Sequence, residues 1–333
     1  MARRPNHPIN ILEFSKRVGL STATVSRAFH EPQKLRAETL EKVMALAKKL
    51  HYFPNPSGRA LVTGKNDVVG LIWPLEVEGA DSRFAQHVLA AMAQTLAEND
   101  QDLLICPVDR RHSGTIDHAR RTLLRARCDA WILLYPRHDD VLIEALKNSG
   151  KPVVCLMGRI RKCPSWKSVL LNQQHWIEDA LRRLQAAGCK NVLFFGSRAG
   201  EIDHEERIRA FLKKAPAFFG SRVTLLAGWP PDLNRFKANL TSGKVDAIIA
   251  VDDTAARSAF DTCRKLRMSS PEDVKIVGIS ETLTERPSDS QLSTYLQPLD
   301  RMTKYAVELA LSAHRKSRIF EAVFVPRSTL PQA

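Results

Sequence analysis

A short polar surface along one predicted helix is the first candidate binding site in this sequence. Ser21 stands where it would cap a helix running from Thr22 to Phe29. Val25 and Phe29 lie four residues apart and would share one side of that helix, where they can pack on a neighbouring helix. The opposite side carries small or polar residues and one long cation: Thr22, Ala23, Ser26 and Arg27.

Two further helices are predicted around this one. Apolar residues from Ile11 to Val18 indicate a short helix before it, and Gly19 permits the tight turn between the two. A third helix is expected from about Arg36 to His51. Three short helices with a tight turn between the first two describe a helix-turn-helix, although a plain three-helix cap would show the same periodicity.

The charge of the chain is concentrated in this N-terminal segment. The net charge is +14, and residues 1–65 hold twelve Lys and Arg against four Glu. Such a basic module indicates a polyanionic partner, with nucleic acid first and an anionic membrane surface second. A membrane-surface segment would be a long amphipathic basic helix, whereas these residues form several short ones. Nucleic acid is therefore favoured.

Composition excludes several classes of protein. The 333 residues are 44% hydrophobic and contain no apolar run of about 20, so we expect a soluble protein of two or three domains. The N-terminus leads into no apolar segment of a secretory signal, which favours a protein inside the cell. The six cysteines form no C-x-x-C pair and are expected to be buried thiols. No phosphate-binding, zinc-hydrolase or nucleophile-elbow motif is present, so a binding protein is favoured over an enzyme.

From Asp67 onward, apolar runs alternate with amphipathic stretches. Strands are predicted at Val68–Trp73, Leu103–Pro107, Ala130–Leu134, Val153–Met157, Val169–Leu171, Val192–Phe195, Val223–Leu226, Ala247–Val251 and Val274–Val277. Alternation over about 260 residues implies parallel sheets covered by helices, and this length suits two doubly wound subdomains better than one sheet. Ligands of such folds bind at the carboxyl ends of the strands, here in the cleft between the subdomains.

The residues from Val18 to His30, VGLSTATVSRAFH, resemble the head of the LacI/GalR family of bacterial transcription regulators. The resemblance continues through LEKV at 40–43 and LHYFPN at 50–55 to Ala60 and Leu61, about 45 residues in all. It implies that Thr22 and Ala23 begin a helix lying in the major groove and that Arg27 reads a base, since guanidinium can bond guanine bidentately. His30 is included in the DNA-binding set, and phosphate contacts are implied at Ser21, Thr24, Ser26 and Thr39.

Residues 55–62 match the hinge helix of the family, which folds when two subunits meet on DNA. Asn55 begins this segment, and Leu61 corresponds to the leucine that is wedged into a minor-groove base step. Pro56 suits a first helical position, but Gly58 weakens a helix interior. We therefore expect a hinge that orders less readily.

A weaker resemblance covers the strand–helix region, which in this family is similar to periplasmic sugar-binding proteins with two halves joined by three crossovers. RIRAF resembles the family string R-x-x-G-F and implies that Arg207 grips effector hydroxyls or a carboxylate, while Asp253 falls on a ligand-binding aspartate. Trp229 matches an aromatic residue that stacks on a sugar. The effector contacts implied in this way are Trp73, Phe84, Asn172, Arg207, Trp229, Asp253 and Gln297.

Several positions depart from the family pattern. Asn172 stands where the family usually has Asp, Trp176 replaces a Gly, and Ser280 replaces an Asp. Leu134 and Ala210 also replace a polar residue and a Gly. The cleft thus offers fewer carboxylates than a hexose site, which leaves open another sugar, a deoxy or acidic sugar, or a ligand outside the range of the family.

The expected organisation has three parts. A helix-turn-helix DNA-binding domain would span 1–54, a hinge and linker 55–66, and an effector-binding and dimerisation domain 67–333. The first subdomain of the last part would take 67–184 and 298–325, and the second 185–297 and 326–333.

The resemblance implies a cytoplasmic repressor, located on the nucleoid when it is bound to DNA. It would bind a pseudo-palindromic operator as a homodimer under control of a sugar-like effector, with no cofactor, metal or membrane. No Leu heptads end the chain, which favours a dimer over a coiled-coil tetramer. Two alternatives stay open: a stand-alone small-molecule receptor whose basic head has lost operator function, and an enzyme on the same α/β scaffold.

Overall fold

The computed structural model describes residues 9–55, 58, 60, 64–75, 83–125, 127–228, 230–280 and 291–331. The chain divides into two compact units, Met1–Asp67 and Val68–Ala333. None of the helices within these described ranges has the length and apolar character needed to cross a membrane.

The first unit is built from short helices. They are α1 (Ile11–Val18), α2 (Thr22–His30) and α3 (Ala37–Leu50), with a 3-10 turn at Pro32–Lys34 before α3. Asn10 caps α1 by accepting the Glu13 N–H at 2.9 Å. Gly19 ends α1 with a φ of 74°, a left-handed conformation that glycine adopts without steric cost, and so makes the predicted turn into α2.

One small core holds the three helices together. Its buried members are Phe14, Val18, Val25, Ala28, Val43, Ala47 and Tyr52. The Tyr52 ring stacks on Phe14 with centroids 4.0 Å apart, so the segment after α3 is fastened to α1. Leu12 is apolar but 63% exposed, because the core-facing positions of that short helix are Phe14, Ser15 and Val18.

The second unit contains two six-stranded sheets. The first sheet has the order β11-β5-β4-β3-β1-β2, and all of its strand pairs are parallel. Its strands are β1 (Val68–Pro74), β2 (Asp102–Val108), β3 (Ala130–Leu134), β4 (Val153–Leu156), β5 (Lys167–Leu171) and β11 (Arg318–Phe320). β3 and β4 are buried along their whole length, as expected for central strands covered on both faces.

The second sheet has the order β12-β10-β9-β8-β6-β7. Its strands are β6 (Val192–Phe195), β7 (Val223–Leu226), β8 (Ala247–Ala250), β9 (Lys275–Ser280), β10 (Ser293–Leu296) and β12 (Val323–Val325). β12 is the edge strand beside β10, and of the strands in this sheet it is the one that pairs antiparallel. The last three strands of the chain, β10 to β12, were not predicted from the sequence.

Helices connect the strands and cover the sheets. They are α4 (Arg83–Ala97), α5 (Ser113–Leu124), α6 (Ile143–Asn148), α7 (Gln173–Ala186), α8 (Ile202–Phe219), α9 (Leu233–Thr241), α10 (Asp253–Lys265) and α11 (Leu299–Leu311). Strand–helix alternation with parallel pairing gives two doubly wound subdomains, which follow the helical head in the chain. The predicted fold class is therefore confirmed.

The chain passes between the two subdomains three times, and the first and third crossings differ from the expected boundaries. β5 belongs to the first sheet, but α7 packs on the second subdomain, where the Asp179 carboxylate accepts the Tyr295 hydroxyl at 2.7 Å. The first crossing therefore follows β5 and not residue 184. The second crossing is at 297–298. Because β12 pairs with β10, the third lies between Phe320 and Val323 and not after residue 325.

The cysteines and the possible metal ligands of the interior determine whether disulfide or metal chemistry is available. All six cysteines are free and buried, so they behave as small apolar core residues. Across the described ranges, no group of three or more His, Cys, Asp or Glu could hold a metal ion.

Candidate functional site

The first unit presents α2 with one buried and one outward side. The Ser21 hydroxyl caps the helix by accepting the Thr24 N–H at 3.1 Å and lies 2.9 Å from the Thr24 hydroxyl. Val25 and Ala28 point into the small core. The start of α2 is therefore fixed by its own cap, and the side opposite the core is available to a partner.

The exposed residues of α2 lie on one line. Ala23, Arg27 and His30 are exposed at positions i, i+4 and i+7, and Thr22 and Ser26 beside them are half-buried. The Arg27 guanidinium makes no ion pair or hydrogen bond with any residue that the structure describes. It is therefore free to meet a polar partner with its whole fork of N–H donors.

The acidic residues near this surface are already paired. Glu31 accepts from Lys34 at 2.6 Å, and this hydrogen bond lowers the pKa of the Glu31 carboxyl. Glu13 is paired with Arg17 at 2.5 Å. Arg27 also favours the charged form of Glu31, but it makes no ion pair with that carboxylate, so its guanidinium remains available to an anion or a base edge.

The remaining DNA-binding candidates are spread around the head. Thr39 is half-buried in the first turn of α3, and Asn55 follows the Tyr52 anchor, where its carbonyl accepts the Gly58 N–H at 3.1 Å. Leu61 lies outside the described residues. The roles of all ten candidates in DNA binding stay predictions.

The second candidate site lies where the carboxyl edges of the two sheets face each other. Arg137, after β3, forms an antiparallel bridge with Glu201, at the start of α8. The Ile202 N–H donates to the Pro136 carbonyl at 3.4 Å. Gly200 also comes so close to Arg137 that a side chain there would collide with the guanidinium. The two subdomains thus touch along one side of the cleft.

Arg207 follows this contact along α8 and is fully buried. Its guanidinium donates to the Asp203 carboxylate, four residues earlier in α8, and to the Val251 carbonyl at 2.5 Å. The other Asp203 oxygen accepts the Gln173 amide, whose own oxygen accepts the Trp176 indole N–H at 2.6 Å. The charge of Arg207 is neutralised within its own helix, while its Nε has no partner among the described residues.

Glu201 and His204 add two buried titratable groups. Burial raises the pKa of the Glu201 carboxyl to about 7, although nearby Arg198 favours the charged form. Burial also lowers the pKa of the His204 imidazole well below its ordinary value. His204 is therefore neutral, and its Nδ1 accepts the Arg198 N–H at 3.0 Å.

Two polar residues cap the helices that enter the cleft. The Asn172 side chain accepts the His175 N–H at 3.2 Å at the start of α7, and Asp252 accepts the Ala255 N–H at 2.7 Å at the start of α10. The predicted effector residue Asp253 follows Asp252 as the first residue of α10 and is half-buried. The carboxyl end of β8 thus holds two adjacent carboxylates, one of which is committed to the cap.

The other effector candidates lie in different environments. Trp73 is half-buried in β1, next to its carboxyl end, whereas Phe84 lies in the core with its ring centroid 5.2 Å from that of Tyr135. Gln297 is 2% exposed at the second crossing, and within the described ranges neither of its amide atoms has a partner. Trp229 lies outside the described residues. The effector-binding roles stay predictions.

The residues that surround Arg207 were not predicted from the sequence. Asp203 could have been found from its spacing, because an acid four residues before an arginine on a helix is a usual ion pair. Gln173, Arg137, Arg198 and Glu201 are brought in by other elements, and no local pattern indicates them.

Both units match known families of proteins. Residues 10–55 match the family described as bacterial regulatory proteins, lacI family. Residues 181–330 match a periplasmic binding protein-like domain. Together the two matches cover more than half of the chain.

Similar proteins are found among curated and solved proteins. The HTH-type transcriptional regulator GalS of Salmonella typhimurium is 24% identical over 315 residues, covering 91% of this chain and 89% of GalS. RafR of Escherichia coli, another HTH-type regulator, is 34% identical over 178 residues, 53% of this chain and 51% of RafR.

Solved structures show the same fold over nearly the whole chain. The Lac repressor dimer bound to operator and the anti-inducer ONPF superposes with a TM-score of 0.80 at 19% identity, covering 98% of this chain and 100% of that one. A complex of the regulator CelR with cellobiose gives a TM-score of 0.69, also at 19% identity and with the same coverage. The order of the two units, their separate family matches and these relatives confirm the predicted resemblance. The chain belongs to the LacI/GalR family of bacterial regulatory proteins.

Proposed function

We propose that this protein is a transcriptional repressor that binds a pseudo-palindromic operator as a homodimer and responds to a small effector in its cleft. The observation that carries the proposal is the outward side of α2, where Arg27 is exposed and unpaired on a firmly capped helix. A recognition helix needs such a long, uncompensated cation to reach base edges in the major groove.

Each part of the head has a role in the proposal. Arg27 reads a guanine, Thr22, Ala23 and His30 contact neighbouring positions, and the hydroxyls of Ser21, Thr24, Ser26 and Thr39 bind phosphates and set the register. Asn55 and Leu61 belong to a hinge that engages the minor groove. A homodimer suits this function because two heads in two-fold symmetry match the two halves of the operator.

The cleft of the second unit is proposed to hold a sugar or a sugar-like molecule. Gln297 offers a buried donor and acceptor without partners, and Arg207 Nε is a further buried donor. Buried polar groups of this kind each cost about 1–3 kcal/mol unless a ligand or water satisfies them. A ligand with several hydroxyls would supply the missing partners, with Asp253 and Asn172 at the strand ends and Trp73, Phe84 and Trp229 as apolar walls.

Regulation follows from the position of this cleft. Closing or opening it moves one subdomain against the other, and a ligand that prefers one arrangement changes the affinity for DNA by the same factor as DNA changes the affinity for the ligand. We assign the protein no catalytic role and place it in the cytoplasm, on the nucleoid when it is bound to DNA.

Selection of genomic DNA fragments by the full-length protein tests the DNA-binding part. The expected result is enrichment of a pseudo-palindrome, and binding to it should weaken steeply with salt, with a log–log slope of about −0.9 for each phosphate contacted. A scrambled duplex of equal composition is the control. Equal affinity for both duplexes would contradict the proposal and leave a receptor whose head has lost operator function.

A thermal-shift screen of neutral sugars, sugar acids and nucleobases tests the cleft. A ligand at about 100 times its Kd should stabilise the native state by about 2.7 kcal/mol. Asp253→Ala is expected to remove the shift, because it deletes a carboxylate at the carboxyl end of β8. Asp261→Ala, an exposed change on the same helix α10, is the matched control and should retain it. A shift kept in Asp253→Ala would move the effector site elsewhere.

A further inference from the structure

The amino edge of the first sheet is where the chain leaving the head enters the second unit. Because every pair in this sheet is parallel, the first residues of all six strands lie along one edge. Hydrogen bonds join the loops along it, from the Asp129 N–H to the Val68 carbonyl at 2.8 Å and from the Ser168 N–H to the Ser317 hydroxyl at 2.9 Å. Val68 begins β1 at this edge.

Basic residues stand at or before the starts of four adjacent strands at this edge. β3, β4, β5 and β11 are neighbours in the sheet. We call the following residues at or just before their first positions the basic edge: Arg125, Arg127, Lys151, Lys167, Arg315, Lys316 and Arg318. Among the described residues of the loops 125–129, 149–152 and 312–317, Asp129 is the only acid. The edge is therefore strongly positive.

Some members of the basic edge hold the loop before β11 in place. The Lys167 amine donates to the carbonyls of Ser312 and Ala313 at 2.6 and 3.0 Å. The Arg318 guanidinium lies 4.8 Å from the centre of the Phe320 ring. These contacts fix the loop on the edge. Arg315 in this loop is paired with Glu308 of α11, so its charge is partly neutralised, whereas Lys316 makes no ion pair with a described residue.

Three other members are available to a partner. Arg125, Arg127 and Lys316 are exposed, and none makes an ion pair with a residue in the described part of the chain. Isolated cations on a surface are usual, but these three lie on two loops of one edge, before β3 and β11, and Lys151 and Lys167 stand at the two strands between them. With a single acid in these loops, the cations form a positive field. Such a field attracts a polyanion.

We propose that the basic edge contacts the sugar–phosphate backbone of the DNA that flanks the operator; the inference rests on the DNA-binding function proposed above. The twelve residues between Asn55 and Val68 can span at most about 45 Å. The linker therefore sets an upper limit on the distance between Asn55 and this edge, where Val68 begins β1. Duplex DNA offers a negative charge about every 1.7 Å along its axis, so flanking phosphates complement the edge without sequence preference.

Two duplexes with the same selected operator test this inference on the full-length protein. The short one carries about 20 bp, enough for two half-sites, and the long one adds flanks of random sequence on both sides. For the parent protein we expect the log–log salt slope to be steeper on the long duplex by up to about 2.7 for each subunit of the proposed dimer, since three cations of each subunit neutralise a phosphate each. The triple variant Arg125→Gln, Arg127→Gln, Lys316→Gln should bind both duplexes with the slope of the short one.

A matched triple variant controls for net charge. Lys190→Gln, Lys237→Gln and Lys244→Gln remove three exposed cations from the second subdomain and should keep the difference between the duplexes. All six substitutions are on the surface, and an unchanged Tm verifies the fold. Equal parent slopes on the two duplexes would overturn the inference while leaving operator binding intact, and would direct attention to an acidic protein partner. Equal losses on both duplexes in the edge variant would also contradict it, and a parent that prefers no duplex would overturn both proposals.

Discussion

Asp203→Ala is expected to destabilise the second unit by about 3–5 kcal/mol, because it leaves the buried Arg207 guanidinium without its counter-ion. Arg207 is 1% exposed and Asp203 3%, so water cannot replace the lost carboxylate. Denaturant unfolding followed by tryptophan fluorescence measures this effect selectively. All five tryptophans stand in the second unit, and none reports on the head.

Two companion variants identify the cause of that loss. Asp203→Ala combined with Arg207→Met removes both charges and should recover a large part of the stability, so that the single losses do not add. Glu144→Ala breaks an exposed pair with Lys147 in the same unit and should cost at most about 1 kcal/mol. If Asp203→Ala is as mild as Glu144→Ala, Arg207 is not neutralised by Asp203.

Arg27→Ala is expected to reduce the preference for the selected operator over a scrambled duplex by one to two orders of magnitude for each half-site. A bidentate contact with guanine contributes about 1–3 kcal/mol of discrimination, and alanine retains none of it. Fluorescence anisotropy on the two duplexes at one salt concentration measures the ratio. Affinity for the scrambled duplex should change much less, because most non-specific binding comes from phosphate contacts.

Arg17→Ala is the matched control for this experiment. Arg17 is an exposed arginine of the same head, but it lies on α1 and is paired with Glu13. Its loss should leave the ratio unchanged if Arg27 alone reads the base, whatever it does to the absolute affinity. An unchanged ratio in Arg27→Ala would show that another residue of α2 reads the operator.

The head was largely predictable because its determinants are local. Ser21, Gly19 and the i, i+4 pair Val25 and Phe29 each act within one helix or one turn, and the structure has the cap, the turn and the packing where these residues indicate them. The same holds for the long apolar strands. β3 and β6 have the predicted bounds because a continuous buried apolar run begins directly after a polar residue, Asp129 or Asn191.

The structural features that the sequence did not indicate depend on contacts between residues that are far apart in the chain. β10, Ser293–Leu296, is polar enough to resemble a loop. It is held in the sheet by Thr329, whose hydroxyl accepts the Ser293 N–H at 2.8 Å and donates to the Ile276 carbonyl at 2.7 Å. The surroundings of Arg207 pose the same problem, since Gln173 comes from another helix and Val251 from the end of β8. Pairings across 30 to 50 residues leave no periodicity in the chain.

The raised pKa of the Glu201 carboxyl affects the energetics of opening and closing the cleft. With a pKa of about 7, it is close to half protonated in a neutral solution. Opening the contact with Arg137 would admit water, return this group toward its ordinary acidity and release a fraction of a proton to the buffer. The heat of any event that opens or closes the cleft therefore includes the ionisation heat of the surrounding buffer, and acidification favours the closed form.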